Sequence, residues 1–306
     1  MAKITRPGRA RAWREYVADI QTVNPAHQLY HAYSVAEDQE RTNVHYDQPP
    51  EFFYLITGGR WNSYSCNLWE SPDEDDTTAQ ERKLDRTAEL AGLRPGMRVI
   101  DVGCGWAGPL TYLCQKYDLQ GVGLTLSPTQ KQAADERIAR EGANVQVEVC
   151  HWEEYNPIER FDVVVTDEVI VHFNNLGGFF QKCHGWLSST GVMVNKELHL
   201  SHPRHAVLER GGEFVNEIYG DTGNYRLLAD ELQFGYAAGF EMSVHHIPRH
   251  HYEISIDHWL ANMYQNRERL KELVGEEHYR NFRIYLKLAR RLQRNVTLDY
   301  VVGRKR

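Results

Sequence analysis

The chain has 306 residues, a hydrophobic fraction of 42%, a charged fraction of 25% and a formal net charge of −7. These values suit one large α/β domain or a core domain with a cap, and the acidic surplus gives no general attraction for nucleic acid. No apolar run is long enough to span a bilayer, and the basic start Met1-Ala2-Lys3-Ile4-Thr5-Arg6 has no apolar segment behind it, so no secretory signal is expected.

Residues 1–45 read as polar and partly helical. Residues 46–76 are aromatic and loop-rich and end in Asp73-Glu74-Asp75-Asp76, which reads as a solvated loop lending charge to a helix N-terminus. Thr77 and Gln80 have capping-box spacing, and a helix is predicted to about Leu90. Strands and helices then alternate. Strands are predicted over 98–102, 121–126, 145–149, 161–166 and 192–195. Helices are predicted over 108–117, after Ser127-Pro128 and over 176–187. This is the βαβ rhythm of a parallel, doubly wound sheet. Residues 198–240 break the rhythm and read as a largely helical cap. Residues 240–247 could return to the sheet, 256–293 are mainly helical, and 295–303 read as a last strand joining a sheet edge. The expected segments are a cap region over 1–76, a core over 77–197, a substrate cap with a return strand over 198–255, and helices with a last strand over 256–306.

The five cysteines, Cys66, Cys104, Cys114, Cys150 and Cys183, are odd in number and show no Cys-x-x-Cys pair, which fits a reduced cytoplasmic protein.

The stretch Val99-Ile100-Asp101-Val102-Gly103-Cys104-Gly105-Trp106-Ala107-Gly108-Pro109 is an apolar strand, an acid and a glycine-rich turn opening a helix. This grammar serves dinucleotide and nucleoside cofactors. A nicotinamide enzyme places a ribose-binding acid near the end of the second strand. Thr125-Leu126 stands there instead, which weakens that reading. After the third strand, Trp152 could flank an adenine ring and Glu153 could orient it.

On these residues the chain resembles the S-adenosylmethionine-dependent methyltransferases of the cyclopropane-fatty-acid-synthase type. The segments that carry the resemblance are His45-Tyr46-Asp47 with Phe52-Phe53, Tyr64-Ser65-Cys66, Asp101-Val102-Gly103-Cys104-Gly105-Trp106, Gly123-Leu124-Thr125-Leu126-Ser127-x-x-Gln130 and Trp152-Glu153, within about residues 45–195. The resemblance implies a Rossmann-like methyltransferase sheet with an α-helical cap. It implies S-adenosylmethionine as cofactor, held by Tyr64, Ser65, Asp101, Gly103, Gly105, Thr125, Leu126, Gln130, Trp152 and Glu153. Cyclopropane synthases resemble one another in a bicarbonate-binding set. Cys66, His172 and Tyr252 match it, whereas Val171 stands at the glutamate position and Lys196 at the second histidine position. An anion could then be held by Cys66, Lys196 and Tyr252.

Glu168 follows the fourth strand and looks like the acid at that place in bacterial prenyl-diphosphate C-methyltransferases. Tyr30-His31 and His251-Tyr252-Glu253 have loose counterparts there. An alkene that attacks a sulfonium methyl leaves a carbocation, which aromatic faces can shield and a carboxylate can deprotonate. The expected roles are Glu168 as base, Tyr252 and His172 beside it, and Tyr30, His31, Cys66, Lys196, Tyr219, Arg249 and His251 around the substrate. Further aromatics of the roof are Tyr33, Phe53, Trp61, Trp69 and Tyr225. A short prenyl diphosphate is the leading substrate class. Its donors would come from Arg204, Arg226, His246 and His250 as well as His31, Lys196 and Arg249, with or without Mg2+. The residues show no convincing set of protein metal ligands. The alternatives are a fatty-acyl lipid methyltransferase or cyclopropane synthase, nitrogen or oxygen methylation of a secondary metabolite, and a binding protein that keeps only the cofactor fold. The expected partner is a small molecule, with no nucleic acid and no integral membrane segment, and a homo-oligomer is allowed.

Overall fold

The computed structural model describes residues 34–37, 39–40, 48–173, 175–202, 205 and 225–305. Tyr30, His31, Tyr33, Arg204 and Tyr219 lie outside the described residues.

Helix α1 (Pro50–Thr57) and helix α2 (Asp76–Ala91) precede the sheet. Then come β1 (Arg98–Val102), α3 (Gly108–Tyr117), β2 (Gln120–Thr125), α4 (Pro128–Glu141), β3 (Val145–Val149) and β4 (Phe161–Asp167). A 3-10 turn at Ile170–His172 leads to α5 (Leu176–Trp186), β5 (Leu187–Leu200), α6 (Leu228–Ala238), β6 (Phe240–Ile247), α7 (His250–Gln265), α8 (Arg267–Leu292) and β7 (Val296–Lys305). The seven strands form one sheet in the order β3-β2-β1-β4-β5-β7-β6. The pairs from β3 to β5 are parallel, and β7 is antiparallel to both β5 and β6.

The expected sheet is therefore present as a mixed one. The last strand is not at an edge. β7 sits between β5 and β6, and its residues Leu298 to Val302 are buried on both faces. A strand with no solvent-facing alternation belongs inside a sheet, because it needs cover on both sides. β5 is also longer than predicted, since polar Lys196, Glu197 and His199 are buried among charged partners within it. The segment boundary expected at 197 falls inside this strand. The capping box expected at Thr77 and Gln80 is not formed. Asp75 is the N-cap of α2 and its side chain accepts from the Thr78 amide. Gln80 instead ties down the preceding turn, accepting from the Trp61 amide and donating to the Gly58 carbonyl.

Alternate strand residues feed opposite faces, as the two-residue strand period requires. Val99, Val163 and Val165 pack with Leu84, Leu110 and Leu113 on one face. Ile100 and Val164 pack with Phe179, Phe180 and Trp186 on the other. A third cluster stands over the strand tips. Phe52, Phe53 and Ile56 of α1 meet Ile256, Trp259 and Met263 of α7 and Phe282 and Leu286 of α8, with Trp106 from the glycine turn. This cluster is the helical cap, assembled from both sides of the core in sequence.

Strand order reverses between β1 and β4, because the chain winds outward through β2 and β3 before returning beside β1. The carboxyl ends of these two strands are where ligands bind in such sheets.

Candidate functional site

At that point the structure has a cavity of about 170 Å³. Its floor and sides come from the tips of β1, β2 and β4 and the loop after β3, and its roof comes from residues 62–65. Tyr64, Ser65, Asp101, Gly103, Gly105, Thr125, Leu126, Gln130 and Trp152 all line it, together with Glu168 and His172. Glu153 does not. It is exposed, and its carbonyl accepts from Lys182 outside the cavity, so no orienting contact by this residue is seen.

The glycine turn is shaped for a ligand. Gly105 has φ 55, and a Cβ built there would meet nothing within 4 Å, so the turn opens a free space beside the cavity. Gly108 serves packing instead. A Cβ there would fall 1.8 Å from the Trp61 carbonyl, so α3 can reach the roof segment only with glycine at that point. Thr125 donates its hydroxyl to Gln130 Oε1 at 2.7 Å, and Ser127 Oγ accepts from the Gln130 amide at 3.2 Å. Gln130 thus closes its own helix cap and still faces the cavity.

Burial, reinforced by the neighbouring Asp167 charge, pushes the Asp101 carboxyl up to about 7. A cationic ligand beside it would restore its ionised form. Trp152 Nε1 is buried at the cavity with no hydrogen-bond partner among the described residues, an unusual state for an indole N–H. An open space at a glycine turn, an acid that a cation would charge, and an indole donor without a partner fit a cationic nucleoside cofactor.

The other wall is electrostatic. Asp167 ends β4 and Glu168 follows it, with φ 55, a left-handed conformation that costs a non-glycine residue about 1 kcal/mol. Its amide donates to the Lys196 carbonyl at 2.7 Å. Its carboxylate is gripped by three donors: Tyr252 OH at 2.7 Å, the Cys66 amide at 2.8 Å and Lys196 Nζ at 2.5 Å. Lys196 Nζ also reaches Asp167 at 2.9 Å, and Lys83 Nζ reaches the other Asp167 oxygen at 2.9 Å. Ser65 donates to that oxygen too, at 2.7 Å. Two lysines and two carboxylates thus cancel in a region where unpaired charge would be costly.

The titrations follow from this arrangement. Burial opposes the charge on Asp167, but Lys196 and Lys83 outweigh it and hold the carboxyl below its ordinary range. Burial likewise opposes the charge on Lys196, and Asp167 with Glu168 holds it well above. Burial, then Glu168, drives the Tyr252 phenol well above its ordinary value, so Tyr252 is a donor at neutral pH. Burial pushes the Cys66 thiol up to about 12, so it stays a neutral thiol.

Cys66, Lys196 and Tyr252 do not line the cavity. They stand behind Glu168, so their contact is with this carboxylate rather than with a substrate. The anion expected between them is supplied by the chain itself. Arg249 is exposed and reaches Glu253 at 3.8 Å, and His251 accepts from the Trp69 amide at 3.0 Å, away from the cavity lining. Burial, then the neighbouring His250, holds His251 down at about 4, so it is neutral and apt to accept.

Lys83, Asp167 and Phe173 belong to the site, although the sequence pattern does not single them out. Lys83 lies on a helix face with Gln80 and Thr87, all three buried, and such a polar stripe at helical spacing is the signal that marks it. Among the described residues no group of three histidine, cysteine, aspartate or glutamate side chains is arranged to hold a metal ion, and no helix is long and apolar enough to cross a membrane.

The family model of mycolic acid cyclopropane synthetase matches residues 33–301. Cyclopropane mycolic acid synthase 1 of Mycobacterium tuberculosis is 30% identical over 257 residues, covering 79% of this chain and 88% of that protein. A probable fatty acid methyltransferase of Pseudomonas putida is 28% identical over 257 residues, covering 81% of this chain and 64% of that longer protein. The solved structure of mycolic acid cyclopropane synthase CmaA1 complexed with SAH and CTAB superposes with a TM-score of 0.80 at 26% identity, covering 87% of this chain and 98% of that one. With the fold, the glycine turn and the cavity at the strand tips in agreement, the chain belongs to the mycolic acid cyclopropane synthetase family of S-adenosylmethionine-dependent methyltransferases.

Proposed function

We propose that the chain methylates an alkene carbon of an apolar acceptor, an unsaturated acyl chain, and that Glu168 takes the proton released afterwards. The observation that carries this reading is the Glu168 carboxylate, held at the cavity wall in a left-handed conformation by Tyr252, Lys196 and the Cys66 amide. Strain at one residue, maintained by surrounding contacts, is a common mark of a working side chain.

Tyr64, Ser65, Asp101, Gly103, Gly105, Thr125, Leu126, Gln130 and Trp152 would hold S-adenosylmethionine, which when bound supplies an electrophilic sulfonium methyl. The acceptor's π pair forms the new carbon–carbon bond, the old carbon–sulfur pair departs with sulfur, and a carbocation remains on the acceptor. Tyr64, Trp152 and Phe173 give the cavity aromatic faces that can shield this cation. Glu168 accepts a proton from a carbon next to the cation or from the added methyl. The freed electrons close a double bond in the first case and a three-membered ring in the second. A carbocation is so strong an acid that a carboxylate already engaged by three donors suffices as its base. Tyr252 and Lys196 act as positioning residues.

The acyl reading rests on the wall chemistry and on relatives named for fatty and mycolic acids. No lysine or arginine lines the cavity among the described residues. Of the donors expected for a diphosphate, Arg226 is buried and donates to the Phe173 carbonyl at 2.9 Å, Lys196 is paired with Glu168 and Asp167, and His246 pairs with Asp299. The prenyl-diphosphate and Mg2+ expectations therefore gain no cationic wall here.

Incubation with labelled S-adenosylmethionine and a panel of cis-unsaturated acyl lipids, prenyl diphosphates and amines tests the reading. Label is expected on the acyl class. Glu168→Gln is expected to bind cofactor as the wild type does and to lose about 10³-fold in turnover. Label on amines, or full turnover in Glu168→Gln, would overturn it.

A further inference from the structure

Glu197 has no role in the chemistry above, yet it is 3% exposed and sits beside Lys196 in β5. Adjacent strand residues point to opposite faces. Lys196 reaches Glu168, and Glu197 reaches the 3-10 turn that follows it. Glu197 Oε2 accepts from the Val171 amide at 3.1 Å, and Oε1 accepts from the Leu198 amide at 2.8 Å. The Val171 amide lies at the start of a helical turn, where backbone N–H groups have no partner within the turn itself.

The segment 168–173 supplies four residues to the cavity wall, Glu168, Val169, His172 and Phe173. Beyond the grip on the Glu168 side chain, its backbone meets the rest of the protein at several points. The Glu168 amide is held by the Lys196 carbonyl, the Val171 amide by Glu197, and the Phe173 carbonyl by Arg226. The first is backbone to backbone, and only the middle one comes from a buried acid.

We infer that Glu197 is a positioning residue for methyl transfer: by accepting the Val171 amide it sets the turn that aims Glu168 and His172 into the cavity. The inference rests on the proposed role of Glu168. Burial pushes the Glu197 carboxyl up to about 8. Both of its oxygens accept backbone amides, whereas glutamine keeps the size and only one acceptor oxygen, enough for Val171 or Leu198 but not for both. Leucine keeps the bulk without an acceptor, and aspartate keeps the acid but draws it back by one methylene.

The test compares Glu197→Gln, Glu197→Leu and Glu197→Asp for turnover, cofactor affinity and amide hydrogen exchange at Val171. Leucine is expected to lower kcat about a hundredfold, the scale of a misaimed reacting group, with cofactor Kd unchanged and Val171 exchange accelerated. Glutamine, with one acceptor left, is expected to fall between leucine and the wild type in kcat and in Val171 protection. Should the leucine variant not fold, aspartate carries the test, with kcat expected to fall about tenfold on the same logic. Wild-type kcat and Val171 protection in the leucine variant, or in aspartate standing in for it, overturn the inference. A glutamine variant that loses more kcat than the leucine variant does so as well. Full turnover in Glu168→Gln, with Val171 still protected in the wild type, would instead count against the role of Glu168, so the two failures are distinguishable. Exchange at Val171 reads the contact even without an acceptor.

Discussion

At the tips of β1 and β2 the cavity wall is tied together within one βαβ stretch of about thirty residues. Gly103 and Cys104 donate their amides to the Leu124 carbonyl, and Gln130 is tied to Thr125 and Ser127 five and three residues away. At the tip of β4 the wall is side chain and long-range. Glu168 is gripped by partners 28, 84 and 102 residues distant, and Asp167 by Lys83 from 84 residues away. The first wall forms wherever the local motif forms. The second exists only when α2, β5, α7 and the roof segment have all docked. A binding surface can be encoded locally, whereas an aimed carboxylate needs the whole fold to hold its strain.

Breaking the second wall should therefore cost stability as well as activity. Lys196→Met leaves Glu168 without its ammonium and Asp167 with Lys83 alone. It is expected to lower unfolding free energy by about 3–5 kcal/mol, the cost of removing one partner of a buried pair, as measured by chemical denaturation. An unchanged midpoint would show that the ion-pair lattice is not structural. Breaking the first wall should cost less and leave the fold standing. Gly105→Ala adds a methyl to the open space of the turn and, at φ 55, carries the left-handed cost of about 1 kcal/mol that Glu168 also bears. It is expected to weaken cofactor binding about tenfold, or about 1.4 kcal/mol, with the thermal midpoint within a few degrees of wild type. Calorimetric titration showing equal affinity would move the cofactor away from this turn.

The smallest effect sharpens the contrast through pH. Folded Asp101 titrates at about 7, well above an exposed aspartate. The native apoprotein therefore holds a proton that the unfolded chain has lost, and the stability from this group falls as pH rises through about 7. A cationic cofactor prefers the ionised carboxylate, so binding is expected to release a proton near pH 6, and affinity is expected to decline as pH falls below about 7. Titration in buffers of different ionisation enthalpy reads this release directly. A pH-independent affinity would remove Asp101 from the cofactor's surroundings. Asp167, held low by two lysines, should show no such behaviour in this range.

The same contrast separates what is legible in the amino-acid sequence from what is not. The strands from β1 to β4 and most of the cavity-lining positions at their tips are readable, because apolar period, helix caps and glycines act over a few residues. Glu168 is readable from its place after β4. Of its partners, Tyr252 reads as standing beside it, whereas Cys66 and Lys196 read as contacts to substrate or to a bound anion, since nothing local says that all three converge on one carboxylate. The central position of β7 is hidden because pairing partners, not propensity, decide which strand is an edge. Glu197 is hidden because a buried acid in a strand carries no mark of the amide it accepts.

The insertion of β7 between β5 and β6 has a consequence for biosynthesis. Until residues 296–305 emerge from the ribosome, β5 has one open flank, with Lys196 and Glu197 lacking the strand that covers them. A nascent chain can thus form the glycine turn and the tips of β1 and β2 early but cannot finish the Glu168 wall until translation has passed β7. Such late, distant pairing folds slowly and leaves sheet edges exposed meanwhile, so recombinant yield is expected to be more sensitive to chaperone supply and growth temperature than the ordinary core suggests.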